Sequence, residues 1–253
     1  NVCERFGTAA RHDRNFLEGR ELVGLFKSGP AREKLAALML ECASFRDLVV
    51  EVDLAGEARW WSISGNPTSD GTMRGVMRDV TDSRKTEQRV AHMARYDTLS
   101  GLANRHLFNE TLDDMLGRQV KNQQIALLYI DLDHFKSVND TLGHHIGDEL
   151  IRVSAARLSG IVREHDLAAR LGGDEFAVLL TRVSDLRTAH ICAQRIVDAM
   201  AEPFNLMGQT VRVSASVGVA YSPTRGLESE EFMRQADLAL YAAKRAGRST
   251  YAD

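Results

Sequence analysis

In the first third of the chain, apolar and polar residues alternate along two runs, Arg46 to Leu54 and Ala58 to Ile63, separated by Ala55-Gly56-Glu57. That period predicts two half-buried strands closed as a hairpin. A polar turn, Asn66-Pro67-Thr68-Ser69-Asp70-Gly71, precedes a third strand-like run from Thr72 to Val80, so a three-stranded antiparallel meander is expected. From Asp82 to Arg95 the residues are charged and include neither Gly nor Pro, with Thr81 or Asp82 as N-cap ahead of Val90, Met93 and Ala94. This predicts a helix. Its apolar stripe is short for a coiled-coil seam, and a plain amphipathic linker is the expectation.

The remainder alternates helical and strand patterns. A helix is predicted over Arg105 to Leu116, and the continuous apolar run Ile125 to Ile130 reads as a strand buried on both faces. Ala168 to Leu171 and Phe176 to Leu180 flank Gly172-Gly173 as the arms of a tight hairpin. A helix over Leu186 to Ala201, a half-buried strand over Thr210 to Val219 and a last helix over Ser229 to Ala246 complete the pattern. The fold class is α+β.

Length and charge narrow the function. At 253 residues two domains are expected, and the longest apolar runs fall short of the roughly 20 residues that cross a bilayer, so no membrane contact is expected within this stretch. The net charge of -3 provides no positive field for a nucleic-acid backbone, and nucleic acid is not an expected partner. Cys3, Cys42 and Cys192 form no CxxC pair, which argues against a disulfide framework or zinc site and fits a reducing cytoplasm. The chain opens on Asn1 without a basic-then-apolar leader and reads as a piece of a longer protein.

Candidate chemistry gathers around acidic residues. The buried run ending at Ile130 delivers Asp131 and Asp133 at its C-terminal end, where a carboxylate needs water, a cation or a metal. Asp174 and Glu175 sit beside the Gly172-Gly173 turn, whose missing side chains allow positive φ and close approach of a triphosphate. If the hairpin lies alongside the strand ending at Asp131, three carboxylates converge as oxygen ligands for Mg²⁺ or Mn²⁺. Taken alone, Gly-Gly-Asp-Glu is equally an ordinary solvated turn. No Gly-x-x-x-x-Gly-Lys-Ser/Thr run is present, so a P-loop is excluded. His144 and His145 lack companions at ligand spacing and are expected to be loop residues. Lys244 and Arg248 are four apart on a predicted helix and share a face.

Four motifs in order resemble the GGDEF family of diguanylate cyclases: Asp97-Thr98-Leu99-Ser100-Gly101-Leu102-Ala103-Asn104-Arg105 (DxLTGLxNR, with Ser100 where Thr is usual), Asp131 to Asp140 (DxDxFKxxND), Gly143 to Asp148 (GHxxGD) and Arg170 to Phe176 around the Gly-Gly turn. The resemblance covers residues 95 to 253 and implies a ferredoxin-related, palm-like domain. The preceding meander, ending in Gly75-Val76-Met77-Arg78-Asp79-Val80-Thr81-Asp82, resembles the second half of a PAS sensory domain whose first strands are missing or scrambled. The implied architecture is a PAS-like sheet with helices over 1–81, a connecting helix over 82–95 and the GGDEF domain over 96–253. The PAS ligand is left unspecified.

By this resemblance, two GTP molecules are condensed into cyclic di-GMP with release of pyrophosphate. Asp131, the Leu132 carbonyl, Asp174 and Glu175 would bind the metals, with Glu175 a further ligand or the base for the 3′-hydroxyl. Phe135, Lys136, Asn139, Asp148, Gly172, Gly173, Lys244 and Arg248 would contact GTP, Asn139 and Asp148 reading the guanine edge. Each domain would hold one GTP, so a head-to-tail homodimer is implied. Arg163 and Asp166 match the RxxD site at which cyclic di-GMP inhibits many relatives. Two rivals remain: a GTP-binding regulatory module of a tandem protein with a downstream phosphodiesterase domain, and a sensor without catalysis.

Overall fold

The computed structural model describes residues 25–253 apart from 55, 70–71, 118–123, 184 and 223–227. Cys3, most of the stretch before the first predicted strand, and the Asp70-Gly71 tip of the polar turn lie outside the described residues. The chain divides into two units, Asn1–Val90 and Ala91–Asp253.

In the first unit, helix α1 (Pro30–Leu40) precedes strands β1 (Phe45–Leu54), β2 (Glu57–Pro67) and β3 (Met73–Asp79), paired antiparallel in that order. Pro30 opens α1, where its missing N–H is not needed. Alternation places Val50, Val52 and Leu54 inward, where they pack with Trp61, Ile63, Phe26 and Leu35. Strand β2 runs on through Asn66 and Pro67, residues expected to form the turn. A proline is tolerated there because the ladder stops at that residue. Past β3, Val80 N–H donates to the Trp60 carbonyl at 2.8 Å and the Trp60 N–H donates to Thr81 Oγ1 at 2.9 Å. Thr81 opens helix α2 (Thr81–Met93).

The second unit is built on a five-stranded sheet in the order β10-β9-β4-β6-β5. In chain order it comprises α3 (Arg105–Gly117), β4 (Gln124–Leu132), α4 (Phe135–Leu142), α5 (His144–Ile161), β5 (Leu167–Gly172), β6 (Glu175–Val183) and α6 (Leu186–Ala201). There follow β7 (Phe204–Leu206), β8 (Gln209–Val211), β9 (Ala215–Ser222), α7 (Ser229–Arg245) and β10 (Tyr251–Ala252). β4 pairs antiparallel with both β6 and β9 and is buried on both faces, as its apolar run required. Ala126, Leu128 and Ile130 point into a core with Leu150, Ile151 and Ile196 of α5 and α6. Ile125, Leu127 and Tyr129 point into a second core with Phe108 of α3 and Phe232 and Leu240 of α7.

Further local expectations are corrected. The strand expected over Thr210–Val219 is two: β8 closes a small hairpin with β7, and β9 begins at Ala215. Alternation continues across the break, and for that reason the pattern read as one run. His144 and His145 open helix α5 instead of lying in a loop, because Gly143, at φ 86°, ends α4 and restarts a helix at the next residue. Gly218 of β9 admits no side chain: a Cβ there would lie 2.1 Å from the Ala236 carbonyl oxygen and 2.2 Å from the Leu240 nitrogen. Helix α7 thus rests directly on the strand backbone.

Candidate active site

The register of the central hairpin decides which carboxylates meet. Asp131, next to last in β4, pairs directly with Glu175, the first residue of β6, and the Leu132 N–H donates to the Asp174 carbonyl at 3.2 Å. Directly opposed residues share a face, so Asp131 and Glu175 both project on the α3 and α7 side. Lys244, in the last turn of α7, reaches Asp131 with Nζ 2.8 Å from Oδ2. Arg105, the first residue of α3, stands 3.6 Å from Glu175 Oε2 and donates from Nε to the Leu171 carbonyl at 2.9 Å. Each carboxylate therefore faces a cation delivered by a helix end.

Electrostatics mark Asp131 as under-satisfied. Burial pushes its carboxyl above the ordinary 3.8; Lys244 pulls it down, while Asp174 and Asp133 push it up again. Burial, then the Glu175 charge, pushes the neighbouring Tyr129 hydroxyl up to about 12. Among the described residues no three His, Cys, Asp or Glu side chains form a close metal-binding group. The donors are nonetheless all oxygen, and the crowding of negative charge around Asp131 is of the kind a hard divalent cation relieves, so the residues fit Mg²⁺.

The Gly-Gly turn is held from behind. Gly172 has φ 146° and Gly173 φ 53°, a pair of values a side chain would strain. Arg170 donates from Nε and a terminal nitrogen to the Gly173 carbonyl at 3.0 and 2.8 Å, and from its other terminal nitrogen to Asp97 at 3.0 Å. Asp97 also accepts from the Ser100 N–H and hydroxyl at 2.8 and 2.7 Å. Burial alone would raise the Asp97 carboxyl, but the bonds from Ser100 and Arg170 outweigh it and hold it below 3.8. The segment Asp97 to Arg105 is thus a brace for the turn: Asp97 acts through Arg170, and Arg105 binds the turn itself. Sequence reading assigned no role to Arg105, Arg170 or Tyr129; the arginine at the end of one motif and the arginine opening another were the available signal.

A sequence-family model described as diguanylate cyclase, GGDEF domain, matches residues 94–250. The chain belongs to the GGDEF family. It is 43% identical over 161 residues to the cyclic di-GMP phosphodiesterase NbdA of Pseudomonas aeruginosa, covering 63% of this chain and 20% of that protein. With the probable diguanylate cyclase DgcE of Escherichia coli it shares 40% identity over 193 residues, 74% of this chain and 17% of that protein. The chain spans about a fifth of the length of these curated relatives. Among solved structures, the coiled coil and GGDEF domain of DgcB from Caulobacter crescentus, in complex with c-di-GMP, matches with TM-score 0.63 at 31% identity, covering 69% of this chain and 93% of that one. The palm-like α+β fold is that of the family.

The other expected residues of the GGDEF domain fall into three places. Asn139 of α4 is half-buried, its Oδ1 buried without a hydrogen-bond partner and so close to Gly147 that a Cβ there would lie 1.9 Å away. Asp148, one residue on, is exposed, as is Lys136, while Phe135 packs against the core. Arg248 does not share a helix face with Lys244 as expected, because α7 ends at Arg245 and the chain turns: Gly247, Arg248 and Ser249 have φ of 118°, 63° and 52°, and Arg248 Nε lies 3.9 Å from Asp133 Oδ1. Arg163 and Asp166 sit at the far end of the β5–β6 hairpin. Asp166 accepts from the Thr181 N–H at 2.9 Å and from the Arg163 N–H at 3.3 Å, beside a cleft of about 190 Å³ that Cys192 and Arg195 also line. Burial and the Asp166 charge push the Cys192 thiol up to about 11.

Proposed function

We propose that this chain is a diguanylate cyclase, condensing two GTP into cyclic di-GMP and two pyrophosphates. The observation that carries the reading is the register setting Asp131 opposite Glu175, with Asp174 adjoining and Lys244 at 2.8 Å from Asp131. Asp131, the Leu132 carbonyl, Asp174 and Glu175 would hold Mg²⁺ or Mn²⁺. Bound there, the cation supplies electrostatic stabilisation of the entering and leaving oxygens.

The chain's own residues do the rest. Lys244, Lys136 and Arg248 neutralise the triphosphate, Lys244 exchanging its Asp131 partner for a phosphate oxygen. Gly172 and Gly173 let the phosphates approach the main chain. Asn139 and Asp148 take the guanine edge; the unpartnered Asn139 Oδ1 supports this, since a purine N–H would satisfy it. Phe135 anchors the segment between metal and base. The 3′-oxygen of one GTP bonds to the α-phosphorus of the other as the bond to pyrophosphate breaks. Glu175 serves as a further ligand or takes the hydroxyl proton. One domain carries one nucleotide, so the active species is a head-to-tail homodimer.

Further parts of the reading follow. Residues 1–81 form a PAS-like sensory domain, 82–95 a connecting helix and 96–253 the catalytic domain, in the cytoplasm. Arg163 and Asp166 form a product site for cyclic di-GMP, supported by the cleft they line. A second reading, a GTP-binding regulatory module joined to a phosphodiesterase domain, is favoured by the similarity to NbdA. The acidic Asp131, Asp174 and Glu175 weigh against it. The test is incubation with GTP and Mg²⁺, measuring pyrophosphate and cyclic di-GMP, with Asp174→Ala and Glu175→Ala as controls. Product formation lost in both variants is expected. GTP binding without product from a verified dimer would instead establish the regulatory reading.

A further inference from the structure

Asp133 follows the metal-end strand by one residue, yet it faces inward and is 2% exposed. Its carboxylate accepts from Ser214 Oγ at 2.6 Å, from Ser216 Oγ at 2.8 Å and from the Ser249 N–H at 3.2 Å, with Arg248 Nε 3.9 Å away. Its own N–H donates to the Ser214 carbonyl at 2.9 Å. One side chain therefore ties the end of β4, the entry to β9 and the turn after α7. That turn holds three consecutive residues at positive φ, two of them not glycine. Such a conformation persists only where the surroundings over-determine it. Each of the three short contacts delivers a hydrogen to the carboxylate; an amide offers them one oxygen, turns its NH₂ toward a serine hydroxyl made to accept, and loses the charge, so it weakens the set.

We infer that Asp133 is a positioning residue: it clamps the 247–249 turn and thereby sets Arg248 at the triphosphate end of the site. The inference rests on the cyclase reading for its functional consequence, and on the turn alone for its physical content. Asp133 touches no substrate; it acts through Arg248.

The experiment uses the full chain as wild type, Asp133→Asn, Arg248→Ala and the double variant. Amide hydrogen exchange at Ser249 is expected to speed up by about tenfold in Asp133→Asn, because the acceptor of its N–H loses the charge that roughly doubles the strength of the bond. Affinity for a non-reacting GTP analogue, measured by calorimetry, is expected to fall by a similar factor in Asp133→Asn and in Arg248→Ala. In the double variant the fall should be no larger than in Arg248→Ala alone. KM should rise while kcat changes little, and the Mg²⁺ requirement should stay in place. Unchanged Ser249 exchange in folded Asp133→Asn overturns the clamp, whether or not the protein makes cyclic di-GMP. Penalties that multiply in the double variant, or a shifted Mg²⁺ requirement with unmoved GTP affinity, overturn the route through Arg248. Should Asp133→Asn not fold, Ser216→Ala removes one donor only; it is expected to give a smaller change in both readouts, and no change in either overturns the inference.

Discussion

Asp79, at the end of β3, and Asp131, next to the end of β4, behave in opposite ways. At Asp79, the end of β3, burial alone would raise the carboxyl, but bonds from the Thr81 hydroxyl and N–H and from Arg59 hold it below 3.8. At Asp131 of β4 burial and neighbouring carboxylates win, and the group lies above that value despite Lys244. The sheets behind them differ too. β3 has no buried position and leaves Val76 69% exposed, whereas β4 is paired on both edges and packed on both faces. A carboxylate well satisfied by its neighbours is a joint; one left in want of positive charge, on a strand that cannot yield, is a candidate site.

The largest effect that tests this contrast is Glu175→Ala, expected to lower cyclic di-GMP turnover by about 10²–10⁴-fold while leaving the melting profile near wild type. A matching loss of folded protein would make the residue structural. Phe176→Ala, one residue on and fully buried, is expected to do the reverse first, destabilising the second unit by about 3–5 kcal/mol in urea titration. Thr81→Val removes the acceptor for the Trp60 N–H and should cost the first unit about 1–3 kcal/mol. Acid provides a finer probe. Because the folded Asp79 carboxyl is depressed, its stabilising effect is present above 3.8 and lost as pH falls through the folded value. Asp79→Asn should therefore flatten the acid limb of the first unit's stability curve; an unaltered limb would break the joint interpretation. Val76→Thr on the exposed face of β3 should shift stability by no more than about 0.5 kcal/mol.

Much of this was legible in the sequence, for identifiable reasons. The uninterrupted run Ile125 to Ile130 could only be a doubly covered strand, and Gly172-Gly173 between two short apolar runs could only turn. Those features located the acidic end. Partners across the fold were not legible: nothing near Arg170 in sequence points to Asp97, and nothing near Asp133 points to Ser214, Ser216 or Ser249. Long-range pairs are fixed by topology, and sequence spacing carries them only where a motif happens to span both ends. The break between β8 and β9 was invisible because alternation continues through Arg212 and Ser214. His144 and His145 were misplaced because the restart of a helix after Gly143 leaves no turn to read.

Gly218 sets the stand-off between helix α7 and the sheet, since the helix backbone sits where a side chain would be. Lys244 leaves that helix about one turn beyond Leu240, the residue Gly218 touches. A methyl group at Gly218 would lift the helix and with it the ammonium facing Asp131, with every charged residue unaltered. The acidic end can thus be retuned from a position that carries no chemistry at all, through spacing alone.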